Sequence, residues 1–511
     1  LARTLPYVAA AVLLLAAGRL GFSRVQEEMA IRRLPAAPAA SPNVLLLVID
    51  TQRPDHMSSY GYHRPTSPRL DEIAREGALY ERAFAHSSWT LPSHASMFTG
   101  RALHEHRAGL VGKRYLDGRY PTIAEVLRDA GYATGGFVAN TFWCGRHTGL
   151  SRGFIRYEDF YGTLGDAVSR TVLGRILTFD VLPRIINFDT PGLKRAATVN
   201  DDLLAWMDGL DGRPFFAFVN YFDVHSPYKP PLETRGTFGW QRTVVVGAEA
   251  PDIGALDNVV GLPPAAELAR RIAGYDEALL YVDRQIGRLR EELERRGVLD
   301  NTIIIVTSDH GESWGEHGVI LHGNALWRDQ IQVPLLIRYP KGIPAGIRVQ
   351  RPVTNQWIPA TVADLVGLDR AQFPGPSLVG ALSGNGAASD TILVQVGRRG
   401  PEDAPIDAGG ERENAIRRWQ RQAWPAARGW VVGVLHDRWH FILEESGDTE
   451  LYDVIADPGE TRNLAATAEG ASTAAQFLAY LRALPLETGL APAQRGRRRA
   501  AVNGPGAEAD R

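Results

Sequence analysis

Cysteine is almost absent. Cys144 is the only one in 511 residues, which excludes an intramolecular disulfide, a disulfide scaffold and a cysteine-rich metal cluster. Lysine is scarce too. Lys113, Lys194, Lys229 and Lys341 are the only lysines among 56 basic residues; the arginine bias, with abundant Ala, Gly and Pro, fits GC-rich coding and says little about function. Charge of one sign is missing: the net charge is −2, so no global field argues for nucleic acid or an anionic membrane as the main partner. No set of long apolar runs is present, which excludes a multi-span membrane protein. What remains is 44% apolar and 22% charged, the balance of a soluble globular protein. At ~100–200 residues per domain, the length suits several domains or one large α/β domain with an appendage.

Continuous apolar runs at 43–49, 215–220, 302–307 and 333–338 predict strands buried on both faces, as in a parallel sheet. Helical spacing at 120–130 and over 275–297, the latter closed by Gly297, predicts helices between them. The alternation means an α/β fold with a mostly parallel sheet. Three runs end in acid or histidine: Asp50, then Asp223 and His225, then Asp309 and His310. Ligands of open α/β sheets bind beyond the carboxyl ends of the strands, so Asp50, His225, Asp309 and His310 are expected in one crevice. Thr90 opens a predicted helix through Phe98 with Pro92 near its start, where the positive end of the helix favours an anion.

The segments Val48–Ile–Asp50–Thr51–Gln–Arg–Pro–Asp–His56, Trp89–Thr90–Leu–Pro92–Ser–His94 through Thr99–Gly–Arg101, Phe222–Asp–Val–His225, Thr307–Ser–Asp309–His310–Gly–Glu312 and Leu451–Tyr–Asp through Asp457–Pro–Gly–Glu460 together resemble the sulfatase family of the alkaline phosphatase superfamily. They fall in the family's order over roughly residues 42–465. The resemblance implies a large, mostly parallel sheet flanked by helices, with a smaller C-terminal antiparallel sheet plus helix. It departs from the family at the nucleophile. Sulfatases convert a cysteine or serine to formylglycine; here Thr90 stands in that position, so no formylglycine is expected. His94 replaces the arginine that follows, Thr51 the second aspartate, and His322 a late lysine. This set is similar to the threonine-using branch, such as lipoteichoic acid synthase and related phospho-ester enzymes. That branch implies one divalent ion held by Asp50, Thr90, Asp309 and His310, with Mn²⁺ first and Ca²⁺, Zn²⁺ or Mg²⁺ as alternatives for a mixed O/N donor set.

The chemistry expected is in-line attack by Thr90 on phosphorus, with a covalent phosphothreonine intermediate. The hydroxyl is activated by the ion. His225 and His322 are the expected acid and base because imidazole titrates near neutrality. His94, Asn140, His225 and His322 are the expected substrate contacts. The partner is an anionic phosphate or sulfate ester, glycan- or lipid-linked, and not nucleic acid. Bland roles compete throughout: Asp50 as a cap, Thr90 as an inert residue of a dead enzyme, Asp309 and His310 as loop residues, His225 as a packed ring, His322 as an exposed loop residue, His94 as a helix cap. Rival functions are a sulfate-ester hydrolase without formylglycine, a phospho-alcohol transferase, and an inactive binding protein.

Domain expectations run as follows: 1–22 a signal peptide or membrane anchor, 23–41 a Pro/Ala linker, 42–375 the catalytic domain, 376–485 a C-terminal subdomain, and 486–511 a disordered tail. The apolar stretch at 6–18 behind Arg3 has the layout of a secretory segment, alternatively an anchor or a buried helix. It predicts a catalytic body on the extracytoplasmic side. The long stretches 161–200 and 231–265 are read as a packed helix or as a flap over the substrate.

Overall fold

The computed structural model describes residues 22, 24–110, 114–159, 194–241, 262–382, 391–398, 419–420, 422–484 and 486. The apolar stretch at 6–18, most of the C-terminal tail, and the core of both long insertions lie outside the described residues.

Eight strands form the main sheet: β1 (Asn43–Ile49), β2 (Ala78–Tyr80), β3 (Ala133–Val138), β4 (Arg156–Glu158), β5 (Phe215–Tyr221), β6 (Thr302–Thr307), β7 (Leu335–Arg338) and β8 (Ile347–Val349). Their order is β8-β2-β7-β6-β1-β5-β3-β4. Only β7 runs against its neighbours β6 and β2. Pro334 splits the predicted run 333–338: Gln332–Val333 pairs with Ala83–Phe84 in a separate small sheet, and β7 enters the main one alone.

β1 shows why the runs carry no polar alternation. Val44, Leu46 and Val48 join the core on one face of the sheet, while Leu45, Leu47 and Ile49 join the core on the other. A strand covered by helices on both faces must be apolar at every position. The helices are α1 (Pro68–Glu76), α2 (Thr90–Thr99), α3 (Ile123–Asp129), α4 (Ala196–Met207), α5 (Ala265–Arg295) and α6 (Ile358–Leu365). α5 begins ten residues before the predicted start at 275: Leu268 and Ile272 continue its apolar stripe and pack against the core, half-buried, among the charged residues of the first turns. The C-terminal part is a four-stranded antiparallel sheet, β9 (Ile392–Val396), β10 (Val431–His436), β11 (Trp439–Glu444) and β12 (Thr449–Asp453), backed by α7 (Ala471–Ala483). Glu460 ties it to the main body: Oε1 accepts from His440 Nδ1 at 2.6 Å and Oε2 from the Arg328 amide at 2.8 Å. Among the described residues no helix is long and apolar enough to cross a membrane.

Candidate metal and nucleophile centre

The carboxyl ends of β1 and β6 are neighbours in the sheet, so the residues that follow them meet. Asp50 and Asp309 are fully buried there, with His310. Donor atoms of all three lie within 4.8 Å of one another. Asp50 Oδ2 accepts from Asn140 Nδ2 at 2.9 Å, and Oδ1 has no hydrogen-bond partner. Asp309 Oδ1 accepts from the amides of Thr51 (3.3 Å) and His310 (3.0 Å), and Oδ2 has none. His310 Nδ1 donates to the Gly311 carbonyl at 2.9 Å, which fixes the tautomer and leaves Nε2 as the coordinating atom. That nitrogen lies 3.3 Å from Asp309 Oδ2 and 3.8 Å from Asp50 Oδ1. Two orphaned buried carboxylate oxygens facing a lone-pair nitrogen fit a divalent cation, since buried charges are otherwise paired. The set suits Mn²⁺ or Zn²⁺, and the hard cations only with added oxygen donors.

Thr90 completes the cluster. It is the first residue of α2, and its hydroxyl donates to His310 Nε2 at 3.1 Å. Thr51, at the position of the missing second aspartate, turns away: it holds a left-handed φ of 60° and donates its hydroxyl to the Asp50 carbonyl at 2.7 Å. A β-branched residue in that region is strained. Three partners hold the loop. The amides of Thr51, Gln52 and Arg53 donate to Asp309 Oδ1, Ser308 Oγ and Tyr275 Oη, and the Tyr275 hydroxyl donates back to the Thr51 carbonyl at 3.0 Å. Tyr275, on α5, is therefore a strut behind Asp50. Tyr275→Phe should leave two buried backbone groups unmatched, cost ~1–3 kcal/mol and weaken metal binding ~10-fold; thermal melts and metal titration of the variant check both.

Burial, and then the charge of Asp309, push the Asp50 carboxyl up to about 7; burial raises Asp309 to about 7 as well. Burial, with His322 beside it, keeps His310 well below the usual imidazole range. Without metal, the folded carboxyls hold their protons to about pH 7, whereas in the unfolded chain they release them from 3.8 upward. Through that window the unfolded state binds fewer protons on these two groups, so their contribution to stability falls as pH rises, while the buried His86, His94, His106 and His310, held below the usual imidazole range by burial, pull the other way. In chelator, the wild type should therefore lose more stability, or gain less, between pH 5 and pH 7.5 than Asp50→Asn does, and Mn²⁺ should stabilise the wild type at pH 7.5. The same pH dependence in both proteins contradicts this.

Two imidazoles stand over the cluster. His322 stacks on His310 at 4.3 Å and meets His225 edge-on at 5.0 Å. His322 Nδ1 donates to Glu312 Oε1 at 3.0 Å, and His225 Nδ1 donates to the Ser226 carbonyl at 2.8 Å. Both rings retain partial exposure. His94 and Asn140 lie deeper. His94 is fully buried, donates from Nδ1 to the Thr90 carbonyl at 2.9 Å, and sits 3.6 Å from Asp309 Oδ2 and 3.7 Å from Cys144 Sγ. Burial lowers its pKa, so it stays neutral where the family's arginine would be charged. Asn140 spends its amide on Asp50 and its carbonyl on the Trp143 amide. Sequence reasoning assigned no role to Glu312, Tyr275 or Ser308. Glu312 was within reach, since it follows His310 by two residues in a quoted motif; Tyr275 carries no local signal because its partners are 222 and 224 residues away.

A family profile described as Sulfatase matches residues 42–368. An uncharacterised sulfatase of Escherichia coli strain K12 is 24% identical over 464 residues, spanning 83% of this chain and 83% of that protein. An N-acetylglucosamine-6-O-sulfatase of Bacteroides thetaiotaomicron is 24% identical over 512 residues, spanning 86% and 85%. Among solved structures, the phosphonate monoester hydrolase of Agrobacterium radiobacter superposes with a TM-score of 0.65 at 23% identity, covering 86% of this chain and 94% of that one. The last likeness is one of fold.

Proposed function

The chain belongs to the sulfatase family and is an ester hydrolase, and from that premise we propose that it cleaves a phosphate ester through a covalent intermediate on Thr90. One observation carries the reading: the Thr90 hydroxyl lies 3.1 Å from His310 Nε2, beside two buried carboxylates with unpartnered oxygens, at the first residue of a buried helix. A divalent ion held by Asp50, Asp309, His310 and Thr90, with Mn²⁺ the best fit, lowers the hydroxyl pKa and neutralises phosphoryl charge when bound. The ionised Thr90 Oγ attacks phosphorus in line; the new Oγ–P bond forms as the P–O bond to the alcohol breaks. His322, oriented by the Glu312 carboxylate, protonates the departing alkoxide. The same imidazole, now neutral, takes a proton from water, which attacks phosphorus and frees Thr90 with inorganic phosphate as product. His225 shares the mouth of the site and binds the non-bridging oxygens. His94 fixes the first turn of α2, and Asn140 fixes Asp50.

The boundaries proposed are a catalytic body over 42–375 and a C-terminal subdomain over 376–485, on the extracytoplasmic side, acting on a glycan- or lipid-linked ester. The relatives' names favour a second reading, a sulfate ester as substrate. Against it stands the nucleophile: threonine cannot supply an aldehyde hydrate, and the only cysteine is buried against His94 instead. Parallel turnover of aryl sulfate, aryl phosphate and aryl phosphodiester by Mn²⁺-loaded protein decides between them. Phosphate or phosphodiester should be the faster; faster sulfate turnover overturns the phosphoryl reading.

A further inference from the structure

His322 sits in a strained turn. The residues on both sides of it hold left-handed backbone, Leu321 at φ 68° and Gly323 at φ 73°. A leucine in that region is costly and persists only where its surroundings hold it. Upstream, Ile320–Leu321 pairs antiparallel with Ser313–Trp314. Downstream, Asn324 pins the turn: Nδ2 donates to the Ile320 carbonyl at 2.8 Å, and Oδ1 accepts from Gln330 Nε2 at 2.5 Å. Further holds come from the C-terminal part of the chain. The Ala426 amide donates to the Asn324 carbonyl at 2.9 Å. Glu450 Oε2, on β12, accepts from Trp327 Nε1 at 2.8 Å and from the Tyr452 hydroxyl at 2.9 Å. Trp327 is buried, and its ring stacks on His317, at the tip of the 313–321 hairpin, at 4.2 Å and 8°. One indole therefore joins the tip of the His322 loop to its exit, and Glu450 holds that indole.

From this geometry we infer that Glu450 is a positioning residue for ester cleavage: through Trp327 it holds the 313–327 loop so that His322 meets the leaving oxygen. The inference rests on the reading above, in which His322 gives its proton to the alkoxide as the P–O bond breaks. It adds that the C-terminal sheet sets where that proton is delivered. Asp50, Thr90, Asp309 and His310 lie outside the loop, so the effect of Glu450 falls on proton delivery and not on the ion. It also gives a task to the Leu451–Tyr–Asp to Glu460 segment: Glu450 and Glu460, at its two ends, take the Trp327 indole and the Arg328 amide.

Phenyl and 4-nitrophenyl phosphate test it on the full-length Mn²⁺-loaded protein. Phenoxide leaves poorly without a proton, whereas 4-nitrophenoxide needs little help. Glu450→Ala should lower kcat/KM for phenyl phosphate by ~10-fold, lower it much less for 4-nitrophenyl phosphate, and leave Mn²⁺ affinity unchanged by isothermal titration. Glu450→Gln keeps an acceptor oxygen for the indole and should restore the rate. In a His322→Ala background, Glu450→Ala should cost nothing further, because the residue it acts through is gone. Trp327→Phe keeps a ring against His317 but removes the Nε1 hydrogen; it should reproduce Glu450→Ala, and it carries the same comparison where Glu450→Ala fails to fold. Equal loss on the two esters, the same loss in the His322→Ala background, a fall in Mn²⁺ affinity that matches the fall in rate, or no loss at all overturns the inference. Wild-type protein that is inert toward both phosphates but turns over phenyl and 4-nitrophenyl sulfate defeats the phosphoryl reading alone, and the Glu450 comparison is then decided on the sulfates. Inertness toward both sets overturns the inference as well.

Discussion

Thr90→Ala should lower kcat by on the order of 10⁴-fold or more, the scale seen when a covalent nucleophile is removed. The hydroxyl is a small part of the fold: it makes one described side-chain hydrogen bond, to His310. His94 reads the Thr90 carbonyl, not its side chain, so α2 stays anchored in the variant. The melting temperature of the metal-free protein should therefore move little. Thr90→Ser restores a hydroxyl in the same place and should recover much of the activity. Near-normal kcat in Thr90→Ala would mean that water attacks the ester directly.

Asp309→Asn should separate stability from function. The substitution keeps an oxygen for the amides of Thr51 and His310 and removes a buried charge whose second oxygen has no partner. Metal affinity should fall by ~10–100-fold or more and activity with it, because an anionic ligand is lost. The metal-free variant should nevertheless be more stable than the wild type at pH 7.5, because burial penalises the charged carboxylate. Isothermal titration with Mn²⁺ and melts in chelator read the two effects separately. A variant that loses stability in chelator while keeping metal affinity would make Asp309 a structural residue and the cluster something other than a metal centre.

Much of this arrangement is written locally in the chain. β1, β5 and β6 are legible because a strand sealed on both faces must be apolar throughout, and each is followed by the residue that matters. Asp50 and His310 converge, as strand-end placement requires, because β1 and β6 are direct neighbours. Other features depend on partners far away in sequence. Nothing around residues 335–338 tells that β7 runs antiparallel; that follows from the partners on either side of it. Tyr275 looks like one more apolar position of α5 until its hydroxyl is found bridging Thr51 and Arg53. His94 and Asn140 read as substrate contacts from their motifs, and the bonds each makes to a neighbour are not legible there: both are as buried as Thr90 and Asp50, and His94 holds the Thr90 carbonyl while Asn140 holds Asp50.

The most direct test of the nucleophile is chemical trapping. A phosphate monoester is mixed with Mn²⁺-loaded protein, the reaction is stopped in acid within a turnover, and the peptide spanning Thr90 is weighed. The predicted result is one added phosphoryl group on Thr90, absent in Thr90→Ala and lost when the native protein is given time to complete hydrolysis. An unmodified Thr90 peptide during steady turnover, with the phosphoryl group passing straight to water, would contradict it.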